Sequence, residues 1–285
     1  MKTIVIGFLP LLLFANAVLS QIVSGVVLDS ATQEPLAYVH IGVVNKNLGV
    51  ISRDNGTFRI DLSEADSQDK LTFSSIGYHS QHILRPKRKE NSMRVYLSPK
   101  IYNLREVVVE DSRLSDPIKL GRYQPTRTTS GQSGLQKFGW GGEWGLQIFN
   151  DGQTYRVTDI NFHTRFNTMD SVLFRINVYN VKNGLPNSSL LQQELFVKSY
   201  KRDKWITKDV TSQQLGGSPL VVDQDIIVTF EVIQLWRSFR GNNALFFTHG
   251  KGYDRGGTYT RASSLAPWKK EGIPITLYLT VEGYN

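Results

Sequence analysis

The stretch GVISRDNGTFRIDL, residues 49–62, decides the fold class of this chain. Its Asp54-Asn55-Gly56 tripeptide is typical of a tight hairpin turn, because Asn and Gly both tolerate positive φ. After the turn, Phe58, Ile60 and Leu62 alternate with polar or charged residues, as in a strand that buries one face. The segment therefore predicts a β-hairpin.

The same alternation continues on both sides of this turn. Val39, Ile41 and Val43 alternate with other residues before it, and Leu71 with Phe73 follows after it. About seven short runs of this kind, separated by turn signals about 8–12 residues apart, fill residues 21–100, and none shows a helical period. We therefore expect an all-β first domain, a β-sandwich over residues 21–100.

Several short motifs in this domain carry a family resemblance. They come in the order Gly25-Val26-Val27-Leu28-Asp29, Glu34-Pro35-Leu36, Asp54-x-Gly56-x-Phe58 and Phe73-Ser74-x-Ile76-Gly77-Tyr78. In this order they resemble the carboxypeptidase regulatory-like domain, a transthyretin-like β-sandwich common at the N-terminus of exported Bacteroidetes proteins. This domain is a non-catalytic module, so the resemblance implies no peptidase activity. It implies a structural or interaction module.

The N-terminus predicts export. Lys2 precedes an apolar run from Ile4 to Phe14, and the small residues Ala17 and Ser20 offer cleavage positions. We expect residues 1–20 to be a signal peptide; an uncleaved membrane anchor is the alternative. No later run approaches about 18 apolar residues, so no transmembrane segment is expected in the mature chain. The expected location is the periplasm, the outer membrane or the cell surface.

Residues 101–137 read as a linker. Residues 101–110 suggest one extended strand, and the segment at 104–109 resembles the connecting strand that follows this domain in TonB-dependent receptors. The remaining chain is too short for the barrel of such a receptor, so receptor function does not carry over. Residues 111–134 lack periodicity and are rich in Ser, Thr, Gly and Arg, which is typical of a flexible connection.

A second β-domain is expected over residues 138–285. Ile160, Phe162 and Phe166 share one strand face, and Phe174 with Ile176 shares another. Eight or nine such runs predict a second sandwich, of jelly-roll or galactose-binding-like type. This part resembles sandwich modules of uncharacterised Bacteroidetes families, and that resemblance names no activity.

Positive charge concentrates in the second half of the chain. Residues 113–285 hold 21 Lys and Arg against 14 Asp and Glu, and residues 234–270 hold seven against one. Aromatic faces stack on sugar rings, and guanidinium groups bind carboxylates or sulfates. We therefore predict a ligand-binding site on loops of the second sandwich, with an anionic glycan or an envelope protein as partner. The residues predicted to form it are Trp236, Arg237, Arg240, Tyr253, Arg255, Tyr259, Arg261 and Trp268.

Other functions stay open at this point. The aromatic residues could instead cover the edges of the core, and the arginines could be ordinary surface charge. A carbohydrate-active hydrolase using carboxylates such as Glu143 or Asp254 is one alternative, and a purely structural envelope scaffold is another. The sequence shows no metal-binding or nucleotide-binding motif, so no metal, cofactor or nucleic acid is expected. The absence of cysteine excludes a disulfide scaffold and a cysteine nucleophile. The leading hypothesis is a non-enzymatic envelope protein.

Overall fold

The fold is all-β. A computed structural model describes residues 21–86, 90–100, 114–133, 141–211, 219–237, 244–251, 255–272 and 275–284. These residues form 21 strands and no helix, which confirms the predicted fold class. The expected signal peptide and the expected strand at 101–110 lie outside the described residues. No helix in the described part of the chain is long and apolar enough to cross a membrane.

The first sandwich contains seven strands. They are β1 (Ile22–Asp29), β2 (His40–Val43), β3 (Gly49–Ile51), β4 (Thr57–Asp61), β5 (Lys70–Ser74), β6 (Gln81–Leu84) and β7 (Glu90–Leu97). One sheet has the order β4-β1-β7 and the other β3-β2-β5-β6. The predicted inward residues fill the space between them: Ile41, Phe58, Ile60 and Phe73 are all at most 5% exposed.

The turn that suggested a hairpin has a different role. It is tight, since Gly56 N donates to the Arg53 carbonyl at 2.9 Å and Gly56 has a φ of 74°. However, β3 pairs with β2, and β4 pairs with β1 in the other sheet. The hairpin pairing was wrong, because local sequence specifies the turn but not the sheet that each strand joins. Here the turn carries the chain from one sheet to the other.

The second sandwich contains fourteen strands in two seven-stranded sheets. They are β8 (Ile118–Arg122), β9 (Gln124–Ser133), β10 (Glu143–Ile148), β11 (Tyr155–Asn167), β12 (Ser171–Lys182), β13 (Leu185–Ser189), β14 (Leu195–Tyr200), β15 (Trp205–Asp209), β16 (Leu220–Val222), β17 (Ile226–Trp236), β18 (Ala244–Lys251), β19 (Thr258–Arg261), β20 (Lys269–Glu271) and β21 (Leu277–Gly283). One sheet, called here the docked sheet, has the order β13-β12-β17-β10-β19-β20, with β14 paired to β12. The other, called here the open sheet, has the order β8-β21-β11-β18-β9, with β15 and β16 paired to β11.

Aromatic side chains form the centre of the second core. The rings of Phe162 and Phe230 stack with centroids 4.5 Å apart, and Phe247 lies 4.4 Å from Phe230. Phe174 meets Phe162 edge to face at 5.2 Å. These four residues come from strands of both sheets, so they join the docked sheet to the open sheet.

The linker prediction needs correction at its C-terminal half. Residues 118–133 form β8 and β9, which pair with β21 and β18 of the open sheet. The alternation signal fails because β9 (QPTRTTSGQS) is a polar strand at the sheet edge, where no large apolar side chain is required. The second sandwich therefore begins about twenty residues earlier than the sequence suggests.

The first sandwich packs on the outer face of the docked sheet. Asn45 N donates to the Leu265 carbonyl at 2.9 Å, and Ile76 packs against the core of the second sandwich. Gly49 lies against Ser264. The docked sheet thus has one face on its own core and the other against the first domain, and the contacts of the first domain given above, among the residues that the structure describes, all lie on the docked-sheet side.

Candidate functional site

A buried group of charged side chains lies where the two sandwiches meet. Arg175 on β12 and Glu231 on β17 are directly opposite in the strand register, and both are 0% exposed. Arg175 Nε is 3.7 Å from Glu231 Oε2. His40 on β2 places Nε2 at 3.0 Å from both carboxylate oxygens of Glu231. Since His40 belongs to the first sandwich, this group ties the two domains together.

Tyr38 is held in a rare backbone conformation by the same contacts. Its φ is 58°, in the left-handed region that non-glycine residues seldom adopt. Its carbonyl accepts a hydrogen bond from Arg175, its hydroxyl donates to Gln234 Oε1 at 3.0 Å, and its ring meets Phe196 edge-on at 5.6 Å. All three partners belong to the second sandwich, so docking fixes the loop before β2.

A second buried ion pair lies beside the first. Glu143 on β10 pairs with Arg261 on β19, and it is 0% exposed. Its carboxylate also accepts hydrogen bonds from Thr229 Oγ1 at 2.6 Å and from the Tyr179 hydroxyl at 3.2 Å. Burial and the charge of Glu143 raise the pKa of Tyr179 well above its ordinary value, so this phenol stays neutral. The Arg261 guanidinium lies 4.7 Å over the Trp268 ring.

Glu231 stays ionised because of its cationic neighbours. Burial alone would raise the pKa of Glu231, but the charges of His40 and Arg175 outweigh it and hold the pKa at about 2. The ligand atoms of His40, Glu143 and Glu231 lie within 4.8 Å of one another, a geometry that could hold a metal ion. Two guanidinium groups already pair with the two carboxylates, so a cation would have to displace them. The contacts of His40 with Glu231 and of Tyr38 with Arg175 therefore serve to hold the two sandwiches together.

The site residues predicted from the sequence do not form one surface. Tyr259 and Arg261 lie on β19 and are 0% and 8% exposed, so the expectation that they belong to an exposed loop was wrong. The Tyr259 hydroxyl hydrogen-bonds to Gln147 at 3.0 Å. The flanking pattern is rich in glycine and resembles a loop, but the strand is buried between its neighbours β10 and β20.

The remaining predicted residues are spread over separate places. Arg255 pairs with Asp151 at 2.6 Å, and Trp268 packs against Tyr179 and under Arg261. Trp236 ends β17 with the Lys198 ammonium 4.3 Å from its ring, and Arg237 is exposed beside it. Arg240, Tyr253 and the alternative catalytic residue Asp254 lie outside the described residues. Ligand binding by these residues stays a prediction.

The outer face of the open sheet carries a row of aromatic rings. The His163 ring on β11 lies 4.7 Å from Trp205 on β15, its register partner. Trp205 lies 5.5 Å from Tyr278 on β21, and Tyr278 lies 6.4 Å from Tyr123. The residues next to these rings along the strands, such as Leu277 and Ile206, are buried in the core. Strand alternation therefore directs the rings of His163, Trp205 and Tyr278 away from the core. Together with Tyr123, which directly follows β8, they are called here the aromatic row.

Trp205 is the most exposed side chain of the aromatic row. It is 41% exposed, although large apolar side chains are usually buried. Lys119 adds a positive charge, with its ammonium 5.1 Å from the Tyr278 ring centroid. An exposed aromatic surface on a rigid sheet is a preferred place for ligand contact.

A basic cavity adjoins the aromatic row. It has a volume of about 690 Å³, and its lining includes His163 together with four cationic side chains. These cations are Arg127, Arg165, Lys204 and Lys251. No acidic residue of the described chain lines it. Burial and the charges of Lys204 and Arg165 lower the pKa of His163, so this imidazole is neutral at pH 7.

Sequence inspection missed this surface because its residues are far apart in the chain. Trp205 and Tyr278 lie on strands that pair with the same segment of β11, yet they are separated by most of the second sandwich. The only local signal is an outward aromatic residue between inward apolar ones, as in Leu277-Tyr278-Leu279. That pattern alone does not show which strands are neighbours.

The family resemblance can be tested against known proteins. Residues 23–109 match the family model of the CarboxypepD_reg-like domain. The N-terminal sandwich is a CarboxypepD_reg-like domain. The match covers less than a third of the chain, so the second sandwich carries no family assignment. No curated protein shows significant sequence similarity to this chain.

Two solved structures match the chain at low sequence identity and low TM-score. One is a "putative carbohydrate binding protein" from Bacteroides uniformis, with 10% identity and a TM-score of 0.23; the likeness covers 90% of this chain and 97% of that one. The other is a variant of the major pilin subunit of Bacillus cereus, with 9% identity and a TM-score of 0.20 over 89% and 68% of the two chains. At these TM-scores neither likeness bears on function.

Proposed function

We propose that this chain is an exported, non-enzymatic protein of the bacterial cell envelope that binds a saccharide on the outer face of its open sheet. The observation that carries the proposal is the aromatic row, in which Trp205 is exposed on a sheet whose other face is fully packed. Aromatic faces provide a large apolar area for sugar rings at little entropic cost, because the sheet holds them in place.

The CarboxypepD_reg-like domain has a mechanical role in this proposal. It covers the docked sheet through His40, Tyr38 and Asn45, and these described contacts lie away from the open sheet. The non-catalytic part of the proposal is supported by the state of Glu143 and Glu231. These carboxylates are buried at the domain junction and bound to arginines, where a polysaccharide could not reach them. Export is supported by the signal-peptide pattern of residues 1–20.

Affinity electrophoresis and calorimetry of residues 21–285 with a panel of neutral and acidic polysaccharides would test this function. We expect Trp205→Ala to weaken binding about tenfold, equivalent to about 1.4 kcal/mol. Trp236→Ala is the matched control, because it also removes a tryptophan side chain, but from the region that the sequence predicts as the ligand-binding site.

Three outcomes would contradict the proposal. If no polysaccharide binds, saccharide recognition is wrong. If Trp236→Ala abolishes binding and Trp205→Ala does not, the site lies at the loops instead of the open sheet. If incubation with a bound polysaccharide releases new reducing ends, the chain is an enzyme.

A further inference from the structure

We infer that the basic cavity beside the aromatic row binds the carboxylate or sulfate group of an acidic saccharide. This inference rests on the proposed saccharide-binding function and specifies its ligand. It assigns the aromatic row to the sugar rings and the cavity to the charged substituent.

The charge around the cavity is unbalanced. Arg127, Arg165, Lys204 and Lys251 are all exposed, and none forms an ion pair within the described part of the chain. By contrast, Arg156, Arg175, Arg255 and Arg261 all have carboxylate partners. Cations gathered around a concave surface produce a local positive potential that attracts anions. The cavity therefore favours a negatively charged group.

The residue types suit a planar or tetrahedral oxyanion. A guanidinium group donates two parallel hydrogen bonds to a carboxylate or a sulfate, and lysine adds a mobile positive charge. The Arg165 guanidinium carbon lies 5.7 Å from the Phe166 ring centroid, a cation–π contact at the cavity wall. Two guanidinium groups and two ammonium groups can therefore bind the same charged substituent together.

The cavity and the aromatic row are continuous through His163. Its ring lines the cavity and lies 4.7 Å from Trp205. Its Nδ1 is 2.9 Å from Thr248 Oγ1, which fixes the ring orientation on the sheet. A sugar ring on Trp205 would place its neighbouring substituents at the mouth of the cavity. This continuity favours an acidic saccharide over an acidic peptide, which would need the cations but not the aromatic row.

Paired polymers provide the test, using residues 21–285 of the wild-type protein. Polygalacturonate is compared with its methyl ester, and dextran sulfate with dextran, so that each acidic polymer has a neutral partner. Calorimetric titration at low and high salt should show at least one acidic polymer binding at least tenfold more tightly than its neutral partner, and less so at high salt. The polymer that binds distinguishes carboxylate from sulfate recognition.

The variant Arg165→Ala/Lys204→Ala should lose that tenfold preference and keep any affinity for the neutral partner. Its control is Lys182→Ala/Lys269→Ala, which removes two exposed charges from β12 and β20 of the docked sheet. Thermal unfolding of both variants checks that the fold is retained. Equal weakening by the control variant, or equally tight binding of polyglutamate, would overturn the inference.

The two proposals fail in different ways. If Trp205→Ala weakens binding but Arg165→Ala/Lys204→Ala leaves the preference for acidic polymers unchanged, the cavity assignment is wrong and the saccharide site stands. If the charge variant abolishes binding and Trp205→Ala has no effect, the cavity binds anions and the aromatic row is not a saccharide site.

Discussion

The backbone of Gly49 in the first sandwich lies so close to the carbonyl oxygen of Ser264 in the second that a Cβ atom at position 49 would overlap this oxygen. Gly42, the register partner of Gly49, faces the same carbonyl, which a Cβ atom would approach to 3.1 Å. Both glycines have ordinary negative φ angles, since neither is among the residues with positive φ. At Gly49 the close approach of the two domains, and not local conformation, therefore requires glycine, whereas at Gly42 a Cβ atom would first meet the Leu48 carbonyl oxygen of the same hairpin, at 2.5 Å.

The first prediction concerns this contact. Gly49→Ala should destabilise the folded chain by about 1–3 kcal/mol, because the β2–β3 hairpin must move away from Ser264 to admit the methyl group. Chemical denaturation measures the loss, and hydrogen exchange should show lower protection of the β2–β3 hairpin. Gly272→Ala is the control, since a Cβ atom there meets nothing within 4 Å. Equal stability of the two variants would show that the domains do not dock as described.

The second prediction concerns the buried ion pair of Arg175 and Glu231. Arg175→Met should cost about 3–5 kcal/mol, because it leaves a fully buried carboxylate with one fewer cation. The double variant Arg175→Met/Glu231→Leu should recover much of that loss, since it removes the uncompensated charge as well. Urea denaturation of wild type, Arg175→Met, Glu231→Leu and the double variant completes a double-mutant cycle. Additive losses would mean that the two groups are not coupled.

The third prediction follows from the depressed pKa of Glu231. This pKa is about 2 in the folded protein and 4.5 ordinarily, so the unfolded chain binds the proton more tightly. The stabilisation from Glu231 is therefore complete above about pH 4.5 and is lost as the pH falls towards 2. We expect Glu231→Gln to be less stable than wild type at pH 6, with a weaker loss of stability on acidification between pH 5 and pH 3. Parallel stability curves for the two proteins would refute this role.

The fourth prediction concerns the pH dependence of ligand binding. The cavity presents Arg165 on β11, Lys204 before β15, Arg127 on β9 and Lys251 on β18 around His163, whose pKa is lowered in the free protein. An anion at these cations offsets their charge, so the pKa of His163 rises on binding. Protonation and anion binding therefore favour each other. Affinity for dextran sulfate should increase as the pH falls from 7.5 to 5.5.

His163→Gln provides the control for this effect, because glutamine fills a similar space without titrating in this range. The variant should show a flatter affinity profile than wild type across the same interval. A profile that is unchanged by the substitution would assign the pH dependence to another group.

Strand alternation made most of the fold predictable. Residues such as Ile41, Phe73, Phe162 and Phe174 are buried as the period of two indicates. Pairing partners were not predictable, as the Asp54-Asn55-Gly56 turn shows, because they depend on contacts between distant strands. The polar strand β9 was not predicted because an edge strand buries little apolar surface and therefore needs no apolar pattern.

The buried charged group of the candidate site, where the two sandwiches meet, was harder to predict from the sequence. Arg175, Asn177 and Tyr179 alternate with apolar residues on β12, a pattern that predicts a solvent-exposed face. In the structure the first sandwich covers that face, and Arg175 is 0% exposed. Arg261 was predicted as a ligand-binding loop residue, but it lies on β19 and pairs with Glu143 on the neighbouring strand β10. Sequence alone shows which residues are charged, and domain packing decides which of them reach solvent.

The close approach at Gly49 has a consequence for recombination between proteins. A first sandwich transplanted from another chain would fit this second sandwich only with glycine at position 49 and a hydrogen-bond donor at position 40 for Glu231. A donor domain that keeps the sandwich fold but not these two residues would remain tethered and undocked, with Glu231 losing its contact to His40. The two modules therefore fit each other as a matched pair, although each has a hydrophobic core of its own.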